Sequence, residues 1–170
     1  KGDVCDKEAV DKAMKDCDTV FHFAAESHVD KSISDASSFI DTNVFGTFTM
    51  LECARQNNVK NFVQVSTDEV YGSIAKGKAS EKTILNPSNP YSASKASGDL
   101  LALSYFKTHG LNVKITRSSN NFGPYQFPEK LVPFFITNLL EGKKVPIYGK
   151  GRHVRYWLYV EDNVRESERV

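Results

Sequence analysis

With 170 residues, of which 40% are hydrophobic and 25% charged, the chain has the composition of one folded domain with a sizeable core, and disordered or fibrous classes are excluded. Its 22 basic and 21 acidic residues give a net charge of +1 and are scattered, which argues against nucleic acid or an anionic membrane as a partner. The cysteines Cys5, Cys17 and Cys53 have neither a disulfide-framework nor a zinc-site spacing, and they indicate a reducing compartment such as the cytoplasm.

Strands and helices alternate along the first two thirds of the chain. The apolar runs are continuous, as in strands buried on both faces, and the helical segments repeat apolar residues every three or four positions. Strands are predicted over 20–25, 62–65 and 111–116, and helices over 38–57 and 91–109. This order predicts an α/β fold with a parallel sheet and flanking helices, in which ligands bind beyond the carboxyl ends of the strands.

The pattern changes after the third strand. Residues 120–125 have the composition of a turn, and residues 129–142 predict a helix that ends at its glycine. Residues 145–148 and 156–160 predict two short strands. These features predict the beginning of a smaller, mixed lobe.

The ten glycines never form the G-x-G-x-x-G loop that lets a pyrophosphate approach a helix N-terminus. Residues 1–6 are typical of the end of a strand and the turn after it. We therefore expect the chain to be a fragment that lacks an N-terminal βαβ portion.

Five polar residues form the strongest chemical pattern. Thr67, Asp68 and Glu69 follow the second strand directly, and Tyr91 and Lys95 lie four residues apart on the next helix, where they share one face. Adjacent acids at a strand end are costly to desolvate unless a ligand or hydrogen bond uses them, although an exposed acidic turn is the alternative interpretation. An ammonium near the phenol is expected to lower its pKa and make it a general base.

These residues resemble the nucleotide-sugar 4,6-dehydratases of the extended short-chain dehydrogenase/reductase superfamily. The Thr-Asp-Glu sequence is the most specific feature, because related epimerases share the Val-Tyr-Gly that follows but usually lack the paired acids. The matching stretches are 2–6, 22–30, 42–47, 66–72, 91–95, 116–124, 125–130 and 157–162.

The resemblance implies a Rossmann-like fold that is incomplete at its N-terminus. It implies a partial NAD-binding domain over 1–118 and a partial nucleotide-sugar-binding lobe over 119–170. NAD is the implied cofactor, a nucleotide-diphosphate sugar the implied substrate, and dTDP-glucose the expected one, with UDP as an open alternative for the nucleotide. A homodimer formed through the helices that contain Phe45 and Tyr91 is also implied.

The resemblance also implies roles for individual residues. Tyr91, assisted by Thr67 and Lys95, would take the sugar O4 proton, after which Glu69 would act as the base at C5 and Asp68 as the acid for the departing C6 hydroxyl. The implied NAD-binding residues are Asp3, Val4, Phe23, Ala24, Ala25, Thr42, Ser66, Tyr91, Lys95, Ser118 and Asn121. The implied substrate-binding residues are Thr67, Asn120, Lys130, Leu131, Pro146, Tyr148 and Arg155.

Some features depart from the family pattern. The glycine-rich loop is missing, Tyr156 stands where an aspartate is usual, and residues 163–170 are expected not to continue a helix. Without that loop we predict weak NAD binding by the isolated chain. We expect His22 to be a hydrogen-bonded core residue, and no residue pattern predicts a metal site.

Two other functions remain open from the sequence. A nucleotide-sugar 4-epimerase or decarboxylase of the same fold would not need the acid pair at 68 and 69. A non-catalytic remnant or binding module would explain the missing loop, but it would not explain why all five polar residues are present.

Overall fold

The computed structural model describes residues 1–147 and 149–170, which form two units, Lys1–Arg117 with Val170 and Ser118–Arg169. Each unit contains both helices and strands. The helices are α1 (Lys7–Met14), α2 (Val29–Ser34), α3 (Ser37–Ile40), α4 (Thr47–Gln56), α5 (Pro90–His109), α6 (Leu131–Leu140) and α7 (Val160–Glu168). The strands are β1 (Thr19–His22), β2 (Asn61–Thr67), β3 (Val113–Ser118), β4 (Asn120–Phe122) and β5 (Trp157–Tyr159).

The sheet of the first unit has the order β1-β2-β3. β1 and β2 are parallel, with Thr19 opposite Asn61 and His22 opposite Gln64. On the other side of β2, the Phe62 amide donates to the carbonyl of Asn112 at 2.9 Å. The α/β fold with a parallel sheet and flanking helices, predicted from the alternation of elements, is confirmed.

β1 is shorter than the predicted 20–25, because the chain leaves the sheet after His22. After the chain has left the sheet, the buried side chain of Asn43 satisfies the backbone of Glu26. It accepts from the Glu26 amide at 2.8 Å and donates to the Glu26 carbonyl at 2.9 Å. Residues 23–28 therefore form an irregular segment at the carboxyl end of β1.

The predicted helix over 38–57 is divided into α3, a π-helical turn (Asp41–Gly46) and α4. The glycine at the end of this turn lies against Val4, since a Cβ atom on Gly46 would be 2.6 Å from Val4 Cγ2. The core of the unit forms where α1 packs against α4, α4 against α5 and α5 against β2, and its fully buried side chains include Leu51, Phe62 and Ala102.

Helix α5 begins and ends within one residue of the predicted 91–109, because local signals mark both ends. Asn89 caps its first turn by accepting from the Ser92 amide at 2.8 Å, and Pro90 occupies the first helical position. Gly110 ends the helix in the left-handed conformation with φ of +70°.

His22 is a buried core residue, as predicted, and its Nε2 lies 3.1 Å from Thr47 Oγ1. Burial, with the charge of Lys95 as the second cause, lowers its pKa from 6.5 to about 4. The folded chain therefore keeps His22 neutral down to about pH 4, whereas the unfolded chain binds a proton near pH 6.5.

This difference predicts a loss of stability in acid. Above pH 6.5, His22 is neutral in both states and the free energy of unfolding keeps its full value. Between pH 6.5 and 4 this free energy should fall by about 3 kcal/mol, because the unfolded chain binds a proton at His22 that the folded chain does not. Urea unfolding at a series of pH values should show a steeper decline for the native chain than for His22→Gln. The exposed control His153→Gln should keep the native decline, and identical slopes for the native chain and His22→Gln would contradict the prediction.

In the second unit, β4 and β5 form a parallel pair with Asn120 opposite Trp157. The predicted helix over 129–142 is the shorter α6, and β5 lies inside the predicted strand over 156–160. Residues 145–147 form no strand, and Tyr148, the last residue of that prediction, lies outside the described residues.

The expectation that residues 163–170 do not continue a helix is wrong, since α7 extends to Glu168. Exposed ion pairs along the helix favour it modestly: Arg165 lies 3.7 Å from Glu161 and 3.8 Å from Asp162, one turn earlier. Both acids also lie in the first turn, where the helix dipole favours negative charge. Among the described helices, none combines the length and the apolar character that a bilayer crossing requires.

Candidate active site

The acid pair lies at the carboxyl end of β2, as predicted. Thr67 is the last residue of that strand, and residues Asp68–Tyr71 form one turn of 3-10 helix. The Thr67 hydroxyl caps this turn by accepting from the Glu69 amide at 3.2 Å, and it lies 3.4 Å from Asp68 Oδ1. We call residues 68–71 the acid turn, and its two carboxylates are half-buried.

Gly72 ends the acid turn in a conformation that only glycine adopts readily, with φ of +69° and ψ of −161°. A Cβ atom there would lie 2.2 Å from the carbonyl oxygen of Asn86. The Asn86 amide in turn donates to the Val70 carbonyl at 2.9 Å, so the turn and the loop near Asn86 are fastened together.

Gly72→Ala is therefore expected to destabilise the chain by about 2–4 kcal/mol, because backbone strain and a backbone clash add. Gly77→Ala is the matched control, since Gly77 has φ of +88° but open space around its Cα, and about 1 kcal/mol is expected. Urea unfolding of both variants measures the difference, and equal midpoints would rule out the clash.

Helix α5 brings its first turn to the acid turn. Asn89, its capping residue, donates from Nδ2 to Glu69 Oε2 at 3.3 Å. The backbone amide of Tyr91 donates to the hydroxyl of Ser32, in α2, at 3.2 Å. Glu69 and Tyr91 are thus held beside each other, although they are separated by 22 residues in the sequence.

The Tyr91 phenol shares its surroundings with both acids. Burial, followed by the charges of Glu69 and then Asp68, raises its pKa from 10 to about 12, and a hydrogen bond with the Thr67 side chain opposes the rise. Tyr91, Thr67, Asp68 and Glu69 therefore form one cluster, and the phenol in this structure is protonated at neutral pH.

The predicted lowering of the Tyr91 pKa by Lys95 is wrong for this structure. Lys95 is 5% exposed, and its Nζ donates to the backbone carbonyl of Val65 at 2.7 Å. Burial lowers the pKa of Lys95, and the charge of Asp99 opposes that effect. The acids that face Tyr91, together with its burial, outweigh any help that an ammonium on the same helix gives to the phenolate.

Apart from Tyr91 and Lys95 in α5, the residues suggested for NAD in the first unit lie in four places. Ser66 is buried in β2 and Thr42 is half-buried in the π-helical turn. Phe23 and Ala24 are exposed in the irregular segment after β1, where Ala25 is half-buried. Near the start of the chain, Asp3 Oδ1 accepts from the Cys5 amide at 2.8 Å, and Val4 packs against Gly46.

The suggested residues of the second unit lie on several separate elements. Asn121 Nδ2 donates to Ser118 Oγ at 3.1 Å, and Asn120 is half-buried in β4. Lys130 precedes α6, which Leu131 begins. Pro146 and Arg155 are exposed, with Arg155 donating to the Val154 carbonyl at 2.9 Å. Tyr148 is outside the described residues.

The sequence interpretation missed several residues that hold the cluster. Asn89 could have been found from the Asn-Pro pair, which is typical of a helix start. Ser32 gives no such signal, because it is 59 residues from Tyr91 in the sequence and only the fold brings its hydroxyl to the Tyr91 amide. In the part of the chain that the structure describes, no group of histidine, cysteine and acidic side chains could hold a metal ion.

Comparisons with known proteins show which family this chain belongs to. The family model described as GDP-mannose 4,6 dehydratase matches residues 1–170. A dTDP-glucose 4,6-dehydratase of Streptomyces antibioticus is 58% identical over 163 residues, which cover 96% of this chain and 49% of the relative. One from Streptomyces griseus is 57% identical over 170 residues, covering 100% of this chain and 52% of the relative.

Among solved structures, a double mutant of the dTDP-glucose 4,6-dehydratase of Streptomyces venezuelae, with NAD bound, superposes with a TM-score of 0.96 at 51% identity. The match covers 98% of this chain and 52% of that one. The chain thus spans about half the length of the curated relatives it matches.

Proposed function

Because the chain belongs to the GDP-mannose 4,6-dehydratase family, we propose that the full-length protein containing it dehydrates a nucleotide-activated hexose to the 4-keto-6-deoxy sugar, with NAD as cofactor. We choose dTDP-glucose as the substrate because the relatives described above are dTDP-glucose 4,6-dehydratases. The observation that carries the proposal is the cluster in which Thr67, Asp68 and Glu69 lie beside the phenol of Tyr91.

Each member of the cluster has a task in this reaction. Tyr91, through its hydrogen bond with Thr67, accepts the proton of the sugar O4 as C4 is oxidised. The 4-keto group acidifies the C5 hydrogen, which Glu69 removes as a proton and gives back to C5 once C6 has been reduced. Asp68 then donates a proton to the C6 hydroxyl as it leaves as water. Two acids are needed because proton removal at C5 and protonation at C6 require opposite protonation states.

The first unit offers residues that suit NAD. The exposed Ala24 and half-buried Ala25 leave room for close approach at the carboxyl end of β1, where ligands bind in parallel sheets. Together with Phe23, Thr42, Ser66 and Lys95, they would hold the cofactor. When bound, NAD would accept the C4 hydride and return it to C6, and its positively charged nicotinamide would favour ionised Tyr91.

The isolated 170-residue chain is predicted to bind NAD with a Kd of about 1 mM or weaker. The reason is that the sequence contains no G-x-G-x-x-G loop to supply backbone donors to the pyrophosphate. Titration calorimetry measures this, with the Streptomyces venezuelae enzyme, whose structure holds NAD, as the positive control. A micromolar Kd for the isolated chain would contradict the prediction.

Product analysis tests the proposed reaction directly. The full-length protein is incubated with dTDP-glucose that carries deuterium at C4, and the product is examined by mass spectrometry and NMR. The expected product is a 4-keto-6-deoxy sugar with the deuterium at C6. A C4 epimer would instead identify a 4-epimerase, and unchanged substrate with both dTDP-glucose and UDP-glucose would identify a remnant or binding module.

The second unit is proposed to bind the nucleotide diphosphate. Half-buried Lys130 and exposed Arg155 supply positive charge, and a guanidinium suits phosphate because its planar donors are permanently charged. Asn120 and Leu131 complete the proposed set on this unit, with Pro146 in the connection after α6.

A homodimer is proposed from the apolar side chains that α4, α5 and the turn before α4 leave exposed. They are Phe45, Phe48, Leu100, Leu103 and Phe106. An exposed apolar surface of this kind is typical of a protein interface. Sedimentation of the full-length protein tests this, and a monomer at micromolar concentration would contradict it.

The three free cysteines support a reducing, cytoplasmic location.

A further inference from the structure

A buried chain of polar contacts joins α5 to the end of the acid turn. Asp99, in α5, is fully buried, and its Oδ2 accepts from Nε of Arg117, in β3, at 2.8 Å. The same guanidinium donates from Nη1 to the hydroxyl of Tyr71 at 3.0 Å, and its carbon lies 5.3 Å from the centre of the Tyr71 ring. Arg117 thus fastens the last residue of the acid turn to α5.

The acid turn is consequently held at both ends by α5. At its start, Asn89 donates to Glu69, and at its end, Arg117 connects Tyr71 to Asp99. Glu69, the proposed base, is itself the first attachment point, and Asp68, the proposed acid, directly precedes it. Helix α5 also carries Tyr91, so the two attachments set the distance between the phenol and the carboxylates.

A buried ion pair of this kind is costly to form and is weak evidence for stability. Asp99 is buried near two cations, Arg117 and Lys95, and both of them oppose the rise that burial causes in its pKa. The steps proposed above use neither Asp99, Arg117 nor Tyr71. A role in positioning the acid turn would explain why this costly arrangement is present.

On the basis of the proposed dehydration, we propose that Asp99, Arg117 and Tyr71 form a positioning chain that fixes the acid turn relative to Tyr91. The Arg117 fork suits this task because one rigid plane bonds a carboxylate and a phenol together. If these contacts are lost, Tyr91 should keep its position on α5 for the oxidation at C4. Asp68 and Glu69 should then shift away from C5 and C6 of the sugar.

Tyr71→Phe is the sharpest test, since it removes one oxygen and keeps the ring under the guanidinium. In the full-length protein we expect elimination of water to slow about tenfold, because small misplacements of reacting groups are costly. The rate of C4 oxidation and the KM for dTDP-glucose should stay within about twofold of native values. Single-turnover absorbance separates the two steps, because reduced nicotinamide forms in the first.

Tyr105→Phe is the matched control. The Tyr105 hydroxyl, also on α5, donates to the charged Glu52 at 2.7 Å, but this bond joins α5 to α4 away from the acid turn. It should leave the ratio of the two rates unchanged. A loss of general stability would affect both tyrosine variants, whereas a positioning role predicts the change of ratio only at Tyr71.

Arg117→Lys supplies a second test. Lysine keeps the positive charge beside Asp99 but has one nitrogen in place of the fork, so it loses the simultaneous bond to Tyr71. We expect elimination to slow about tenfold here too, without a further loss in the double variant with Tyr71→Phe. Additive losses would show that the two residues act separately and would overturn the proposal.

The outcomes separate this proposal from the proposed function. If the native protein forms no reduced nicotinamide and no product with dTDP-glucose, the dehydratase assignment fails. If the native protein turns over and Tyr71→Phe matches it, or slows both steps equally, the positioning chain is refuted while the dehydratase assignment stands.

Discussion

Replacement of Asp68 by asparagine is expected to slow the elimination of water by a factor of about 10² to 10⁴, the usual contribution of a general acid. Asparagine keeps the size and polarity of the side chain but has no acidic proton for the departing C6 hydroxyl. Oxidation at C4 depends on Tyr91 and Thr67, so it should change far less.

Single-turnover absorbance of the full-length protein measures both steps. The Asp68→Asn variant should form reduced nicotinamide at a near-native rate and then hold it, because the sugar waits at the 4-keto stage. Glu69→Gln should give the same accumulation, since it removes the base at C5. Asp18→Asn, the same chemical change at an exposed position before β1, should behave as native.

An equal loss of both steps in Asp68→Asn would count against these roles. It would place the carboxylate in substrate binding or in the fold of the acid turn, where it lies next to the Thr67 hydroxyl at 3.4 Å.

Replacement of Tyr91 by phenylalanine is expected to slow C4 oxidation by a factor of about 10³, because it removes the phenol oxygen that is proposed to accept the sugar O4 proton. The variant keeps the ring contact with Phe39, whose centroid lies 6.4 Å away, so α5 should retain its packing. The effect should therefore appear in the rate of the first step and little in the KM for the sugar nucleotide.

Formation of reduced nicotinamide by the full-length protein, mixed rapidly with dTDP-glucose, measures this rate. Tyr105→Phe is again the control, since it removes a hydroxyl whose pKa is also raised by burial, on the same helix. Near-native reduction by Tyr91→Phe would move the role of base to another group, with the Thr67 hydroxyl as the next candidate.

Local patterns predicted most of the elements that form the site. The boundaries of α5 follow from Asn89, Pro90 and Gly110, and each of these acts within a few residues of itself. The position of the acid turn at the end of β2 follows from an apolar run that stops at polar residues. The π-helical turn gave no comparable signal, because it depends on contacts such as Gly46 with Val4.

The chemistry of the cluster was only partly predictable. The sequence indicated that a phenol, a hydroxyl and two acids would meet, and the structure brings them together. The direction of the Tyr91 pKa shift was predicted wrongly, because it depends on burial and on which charges face the ring. Lys95, four residues away on the same helix, is bound instead to the carbonyl of Val65 in β2.

The sequence by itself determined the order of the elements and the identity of the reactive groups, because periodicity, caps and strand ends act over one or two turns of chain. Tertiary structure alone decided how those groups are held and charged. The bonds from Arg117 to Tyr71 and Asp99 span 46 and 18 residues, and burial sets the proton affinity of Tyr91. Such contacts exist only once β2, β3 and α5 have packed, since no local pattern specifies which buried groups become neighbours.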